Sequence, residues 1–199
     1  AELHNMGSMI KIDQSHQAFL AQRGIGAGFS SVLFTDCRSV DDVRECVRIA
    51  RPDTPEDKGL FGVATRRHTY GGYGGGEAYI QALRDTVVAI MIEKKGAVDN
   101  LEEVLSVPGI DMVQWGGSDY SMSIGKPRNH SDVDAAHNKV FETAIKMGIQ
   151  PRAEINSAEA AKAYLDMGVR HFSIGTDITI LYNWWQENGD KLWSAISDA

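Results

Sequence analysis

Residues 89–125 read "AIMIEKKGAVDNLEEVLSVPGIDMVQWGGSDYSMSIG". This stretch contains two short apolar runs, each ending on an acid within a polar or glycine-rich turn. The first, Val87 to Ile92, stops at Glu93; the second, Ile110 to Trp115, is followed by Gly116-Gly117-Ser118 and then Asp119. Between them lies a helical pattern from Val98 to Leu105. Strand, helix and strand in so short a span form a βαβ unit, whose strands run parallel.

The same alternation extends in both directions at a period of about 25 residues. Upstream, Met9–Ile12 predicts a strand, Gln17–Ile25 a helix, Ser31–Phe34 a strand and Val40–Ala50 a helix. Ser39 supplies an N-cap for that last helix, and Asp41 and Asp42 favour its first turn. Downstream, Val133–Met147 predicts a helix, Arg152–Ile155 a strand and Ala158–Met167 a helix capped by Ser157. Residues 172–174 follow as a strand, and a tryptophan-rich helix runs from about Ile178 to Ser197. Gly28, Gly148 and Gly168 stand where helices end. Between Ala50 and Val87 the pattern is interrupted.

No linker divides the 199 residues, so they read as a single domain, residues 1–199. Repeated βα units admit a doubly wound sheet or a (β/α) barrel. A doubly wound nucleotide-binding sheet would place GxGxxG after the first strand, but here the junction is Asp13-Gln14-Ser15-His16. The barrel is the better reading, with six convincing strands instead of eight.

A hydrophobic content of 43% is ample for a core, and the formal charge of −7 disfavours nucleic acid and anionic membrane surfaces as partners. Cys37 and Cys46 lack CxxC spacing, which with the ordinary composition suits a reducing cytoplasm. No apolar run approaches the roughly 18 residues of a membrane span.

In parallel α/β folds the C-terminal strand ends gather on one face, where ligands bind. Glu93 and Asp119 sit at such ends, one βα unit apart. Neighbouring strands about 4.8 Å apart bring both carboxylates within reach of one ion. Two carboxylates suit a hard divalent cation that keeps several waters. The plainer alternative is a pair of polar strand caps; Gly116-Gly117-Ser118 favours the ion, because small residues leave backbone N–H groups open to an anion. Lys11 is either a snorkelling edge residue or an interior cation facing that anion. Tyr70 to Gly76 is glycine-rich but lacks the Lys-Ser/Thr of a phosphate loop. Arg66-Arg67-His68 before it forms a basic pocket or a solvated patch. Trp184, Trp185 and Trp193 at helical spacing point to core or subunit contact.

The run "IMIEKKGAVDNLEEVLSVPGIDMVQWGGSDYSMSIG" resembles the signature region of the HpcH/HpaI aldolases, a family of metal-dependent class II pyruvate aldolases. "GIGAGFSSVLFTDCRSVDDVRECVRIARP" before it and "AAKAYLDMGVRHFSIGTDITIL" after it carry the resemblance over most of the chain. It implies a (β/α)8 TIM barrel of the phosphoenolpyruvate/pyruvate-binding type, apparently without its first two strands here. By motif, Glu93 and Asp119 fall on the metal-binding acids, with Mg²⁺ or Mn²⁺ the expected ion and Co²⁺ admissible. Gly117 and Ser118 fall where backbone amides hold the pyruvate carboxylate. Lys11 falls where the family commonly places an arginine that contacts the keto-acid oxygen; as a catalytic and substrate-binding residue it cannot offer arginine's planar fork. Met91 replaces a polar residue often found there. The family's catalytic histidine precedes the region matched here, so proton transfer has no assigned group.

The implied function is a carbon–carbon lyase that forms or cleaves a 4-hydroxy-2-oxo acid through a metal-stabilised pyruvate enolate. Its partners would be pyruvate and an aldehyde, and its assembly a homo-oligomer. Two alternatives stand beside it: a citrate-lyase-type acyl-CoA lyase, for which Arg66-Arg67 and Lys126-Arg128 are the available basic groups, and a non-catalytic incomplete barrel.

Overall fold

The structure is a computed structural model that describes residues 6–63 and 76–198. Its elements follow one another as β1 (Met9–Ile12), α1 (Gln17–Gly26), β2 (Ser31–Phe34), α2 (Val40–Ala50), α3 (Glu77–Arg84), β3 (Val87–Ile92), α4 (Lys95–Asp99) and α5 (Leu101–Leu105). Then come β4 (Met112–Trp115), α6 (Gly117–Ser123), α7 (Ser131–Lys146), β5 (Gln150–Ile155), α8 (Ala161–Met167), β6 (His171–Ile174) and α9 (Asp177–Ser197). The strands of the sheet follow chain order, β1 through β6, and β1–β2, β2–β3, β3–β4 and β5–β6 pair in parallel. The fold is therefore α/β with six parallel strands among the described residues, two fewer than a complete eight-stranded barrel.

The chain divides into two compact units, the first running to Pro151 and the second starting at Arg152. In the first, Lys11 pairs with Leu33, Leu33 with Ala89, and Ala89 with Met112. Side chains alternate across a pleated sheet, so this row and its i±2 neighbours share one face. Leu33, Ala89 and Met91 form a buried cluster there, with Met9 and Met112 packed against it. On the other face Val32, Phe34, Val88, Ile90 and Ile92 are fully buried. Helix α1 contacts β1 and β2, α2 contacts β3, and α7 contacts β4. Covered on both faces, β3 can be an unbroken apolar run, which is why its sequence does not alternate.

The ends of the elements follow local chemistry. Ser39 and Asp42 form a reciprocal capping box at the start of α2. Gly28, Gly148 and Gly168 carry positive φ, as helix-ending glycines do. Two helices run against expectation. The interrupted region holds α3, and the glycine turn after β4 enters α6 directly. The expected helix from Val98 is two short ones, and α8 begins at Ala161 without the Ser157 cap. Phe61 forms only an isolated bridge with Pro52. Arg66, Arg67, His68 and the stretch from Tyr70 to Gly75 lie outside the described residues.

In the second unit β5 pairs with β6, Arg152 beside His171 and Ile155 beside Ile174. Helix α9 buries none of its side chains; Trp184, Trp185 and Trp193 are all exposed. No helix among the described residues is long and apolar enough to cross a membrane.

Arg51 fastens the N-terminal ends of β3 and β4. Its guanidinium donates to the carbonyls of Arg84, Thr86 and Gly109 and to Asp111 Oδ2. Asp111 Oδ2 also accepts from the Val88 amide. Replacing Arg51 with Met strands these acceptors. We expect a loss of about 2–3 kcal/mol and a melting temperature lower by roughly 4–12 °C, measured by calorimetry.

Candidate active site

Strand β3 delivers its last side chains to the C-terminal end of the sheet. Glu93 follows Met91 at a spacing of two, so it continues the face that carries Leu33, Ala89 and Met91. It is 2% exposed. A carboxylate this deep needs donors, and the Asp36 amide gives one to Glu93 Oε1 at 2.7 Å. Asp36 ends the β2 loop with φ of 62°, a left-handed backbone that Asp tolerates better than most residues. Burial pushes the Glu93 carboxyl above its ordinary range; the Asp36 N–H draws it down, and the negative charge of Asp119 raises it again.

Asp119 comes from α6, in the first turn after β4. Gly116 and Gly117 make that turn possible. A Cβ on Gly116 would fall 2.5 Å from both Cβ and Oε2 of Glu93. A Cβ on Gly117 would fall 2.5 Å from the Arg128 guanidinium carbon. The double glycine thus lets the backbone press against the acid on one side and admit a cation on the other. The first amides of α6 have no carbonyl within the helix to bond, and Gly117 and Ser118 carry two of them.

The acids are joined by a residue that the sequence pattern did not single out. Lys94 is 8% exposed, and its Nζ lies 2.8 Å from Asp36 Oδ1 and 2.8 Å from Asp119 Oδ1. Burial disfavours its ammonium, but the hydrogen bonds to Asp119 and Asp36 outweigh that and raise its pKa. The bond from Lys94 holds the Asp36 carboxyl below the usual carboxylate range. Its neighbour Lys95 is exposed and pairs with Asp99. In sequence the two lysines look alike; only the fold turns one inward.

Of the predicted residues, Glu93, Asp119, Gly117 and Ser118 come together at this strand end. Lys11 lies on the same sheet face, but among the described residues no hydrogen bond or ion pair links it to Glu93 or Asp119. Its register partner two strands away is Ala89, four positions before Glu93. No group of three or more His, Cys, Asp or Glu poised for a metal occurs among the described residues. The donors present still suit a hard divalent ion: Glu93 Oε2 and the half-exposed Asp119 carboxylate are oxygen ligands, and such ions complete their shells with water and substrate. An apolar cavity of about 200 Å³, lined by Ile25, Phe29, Phe61, Tyr79 and Leu83, opens instead near the N-terminal ends of β2 and β3. It carries none of these groups.

The chain is similar to known proteins over most of its length. A hydroxypyruvate/pyruvate aldolase from Paraburkholderia phytofirmans is 28% identical over 168 residues, 82% of this chain and 64% of that protein. A 4-hydroxy-2-oxo-heptane-1,7-dioate aldolase from Escherichia coli is 29% identical over 160 residues, 79% of this chain and 60% of that one. The chain thus spans about three-fifths of the length of these curated relatives. Among solved structures, an HpcH/HpaI aldolase/citrate lyase family protein from Burkholderia cenocepacia J2315 superposes with a TM-score of 0.78 at 24% identity, covering 92% of this chain and 72% of that one. The family model for HpcH/HpaI aldolase/citrate lyase matches residues 3–183, and the chain accordingly belongs to the HpcH/HpaI aldolase/citrate lyase family.

Proposed function

We propose that the chain carries the acid and amide half of an aldolase site that binds a 2-oxo acid such as pyruvate, with an aldehyde as the second reactant. The observation that carries this reading is the convergence of Glu93, Asp119 and the Gly116-Gly117 turn at one strand end. Relatives named as aldolases support it. Glu93 and Asp119 would hold a divalent ion, Mg²⁺ or Mn²⁺. Bound there, the ion would supply Lewis acidity toward the oxygens of the keto acid. The chain's own groups do the rest of the binding. The Gly117 and Ser118 amides receive the carboxylate, and the Arg128 guanidinium against Gly117 adds positive charge beside it. Lys11, on the same face, supplies a further cation toward the keto oxygen, as a point charge and not a fork. Preorganised donors of this kind favour charge that develops on the substrate over charge already spread in water.

Oxalate, whose adjacent oxygens mimic a planar enolate, is the sharpest probe. We expect oxalate to bind the chain in the presence of Mn²⁺ and to be lost on chelation, as measured by calorimetry. Glu93→Gln and Asp119→Asn should each weaken Mn²⁺ by about tenfold or more. Unchanged affinity in both variants would refute the assignment.

Glu93 also makes a stability prediction. Its carboxyl binds a proton more readily folded than unfolded, so it lowers stability as pH rises from the unfolded value near 4.5 through the higher folded one. Without divalent ions, Glu93→Gln should melt above the parent chain at pH 7. That advantage should vanish below pH 4.5; an equal advantage at both pH values would contradict burial as the cause.

The exposed apolar set on α9 supports a homo-oligomer in which this helix meets a second copy. Light scattering at micromolar concentration should give a mass above that of one chain. Trp193→Glu should lower it, and a monomeric parent chain would overturn the reading.

A further inference from the structure

Four groups close a chain of contacts at the strand ends. The Asp36 amide donates to Glu93, Lys94 donates to the Asp36 carboxylate, and the same ammonium donates to Asp119. Thr35 Oγ1 adds a bond to Asp36 Oδ2 at 3.2 Å, fixing the loop from its other side. With all groups ionised, three carboxylates face one ammonium. The cluster therefore keeps an excess of negative charge, but one oxygen of Asp119 is already committed to a cation.

From this geometry we infer that Lys94 is a built-in counter-cation, a positioning residue that competes with a divalent ion for Asp119 and so holds the affinity of the acid pair down. The inference rests on the reading of Glu93 and Asp119 as ion ligands. Its physical basis is charge. An ammonium 2.8 Å from Asp119 Oδ1 repels a dication approaching the same carboxylate, and does so twice as strongly as it would a monocation. Burial sharpens the effect, because a lysine that is 8% exposed is less screened than one in water. A lysine that merely braced the loop would act in the opposite direction. Its removal would free Asp119 to move and weaken ion binding.

The test is a Mn²⁺ titration by calorimetry of the intact chain and of Lys94→Met and Lys94→Arg. Lys94→Met removes the charge and should tighten Mn²⁺ by about tenfold or more. Lys94→Arg keeps the charge and should stay within about threefold of the parent chain. Adding Asp119→Asn to Lys94→Met should abolish the gain, which locates the ion at the cluster. Mn²⁺ bound only by Lys94→Met would also support the inference. If the parent chain binds Mn²⁺ and Lys94→Met binds it equally or more weakly, the inference falls and the ion site stands. Should no form bind Mn²⁺, both fall together. Lys94→Gln, neutral and still able to donate hydrogen bonds, carries the same expectation if the methionine variant does not fold.

Discussion

Glu93 is a carboxylate withdrawn from water at the end of a buried strand, and the rest of the site is built to make that tolerable. Leaving it unpaired would cost several kcal/mol in an apolar setting. The Asp36 amide reaches it from the loop after β2, where Asp36 adopts a left-handed backbone. The turn after β4 can pass it only because Gly116 has no side chain. Lys94, next in sequence, turns inward and neutralises part of the charge that three acids bring together. Each of these features is awkward alone. They make sense as a set, held in place by one buried acid.

Strain, burial and like charge gathered at a single strand end are what a binding site looks like when stability has been given up locally. The packed sheet beneath supplies the rigidity. Ile90 and Ile92 are fully buried beside Phe34 and Val113, so the strand that carries Glu93 has little freedom to relax the site. The Arg51 clamp at the opposite strand ends serves the same purpose from below. The acid pair is therefore held in a geometry set by the fold.

The strands were legible because apolar runs bounded by turn residues admit little else; β1 to β4 lie where the pattern places them. Glu93 and Asp119 were legible for the same reason, as acids at the ends of such runs. Helix α6 was not, since Gly-Gly-Ser-Asp has the composition of a loop and becomes helical only because the glycines let the chain turn in tightly against Glu93 and Arg128. Lys94 gave no sign in the sequence: it stands beside Lys95 after a strand, and burial of one of the two depends on Asp36 and Asp119 arriving from elsewhere. Asp36 itself gave no sign, because its contribution to Glu93 comes from a backbone amide that every non-proline residue possesses. Six strands were legible as apolar runs, and six are what the described residues form; the complete eight-stranded barrel rests on the resemblance alone.

The chain-order sheet also governs when the site comes into being. Ser8 meets Ser30 across 22 positions, and Lys94 meets Asp119 across 25, so each of these halves closes a short loop. Asp36 meets Glu93 across 57 positions, the contact that joins one half to the other. Closing a longer loop costs more entropy and comes later in folding. A nascent or partly folded chain thus holds Lys94 near Asp119 before Glu93 finds its partner. Asp36 remains apart from that pair until the two halves dock, so a half-made protein lacks the amide that satisfies the buried Glu93 carboxylate.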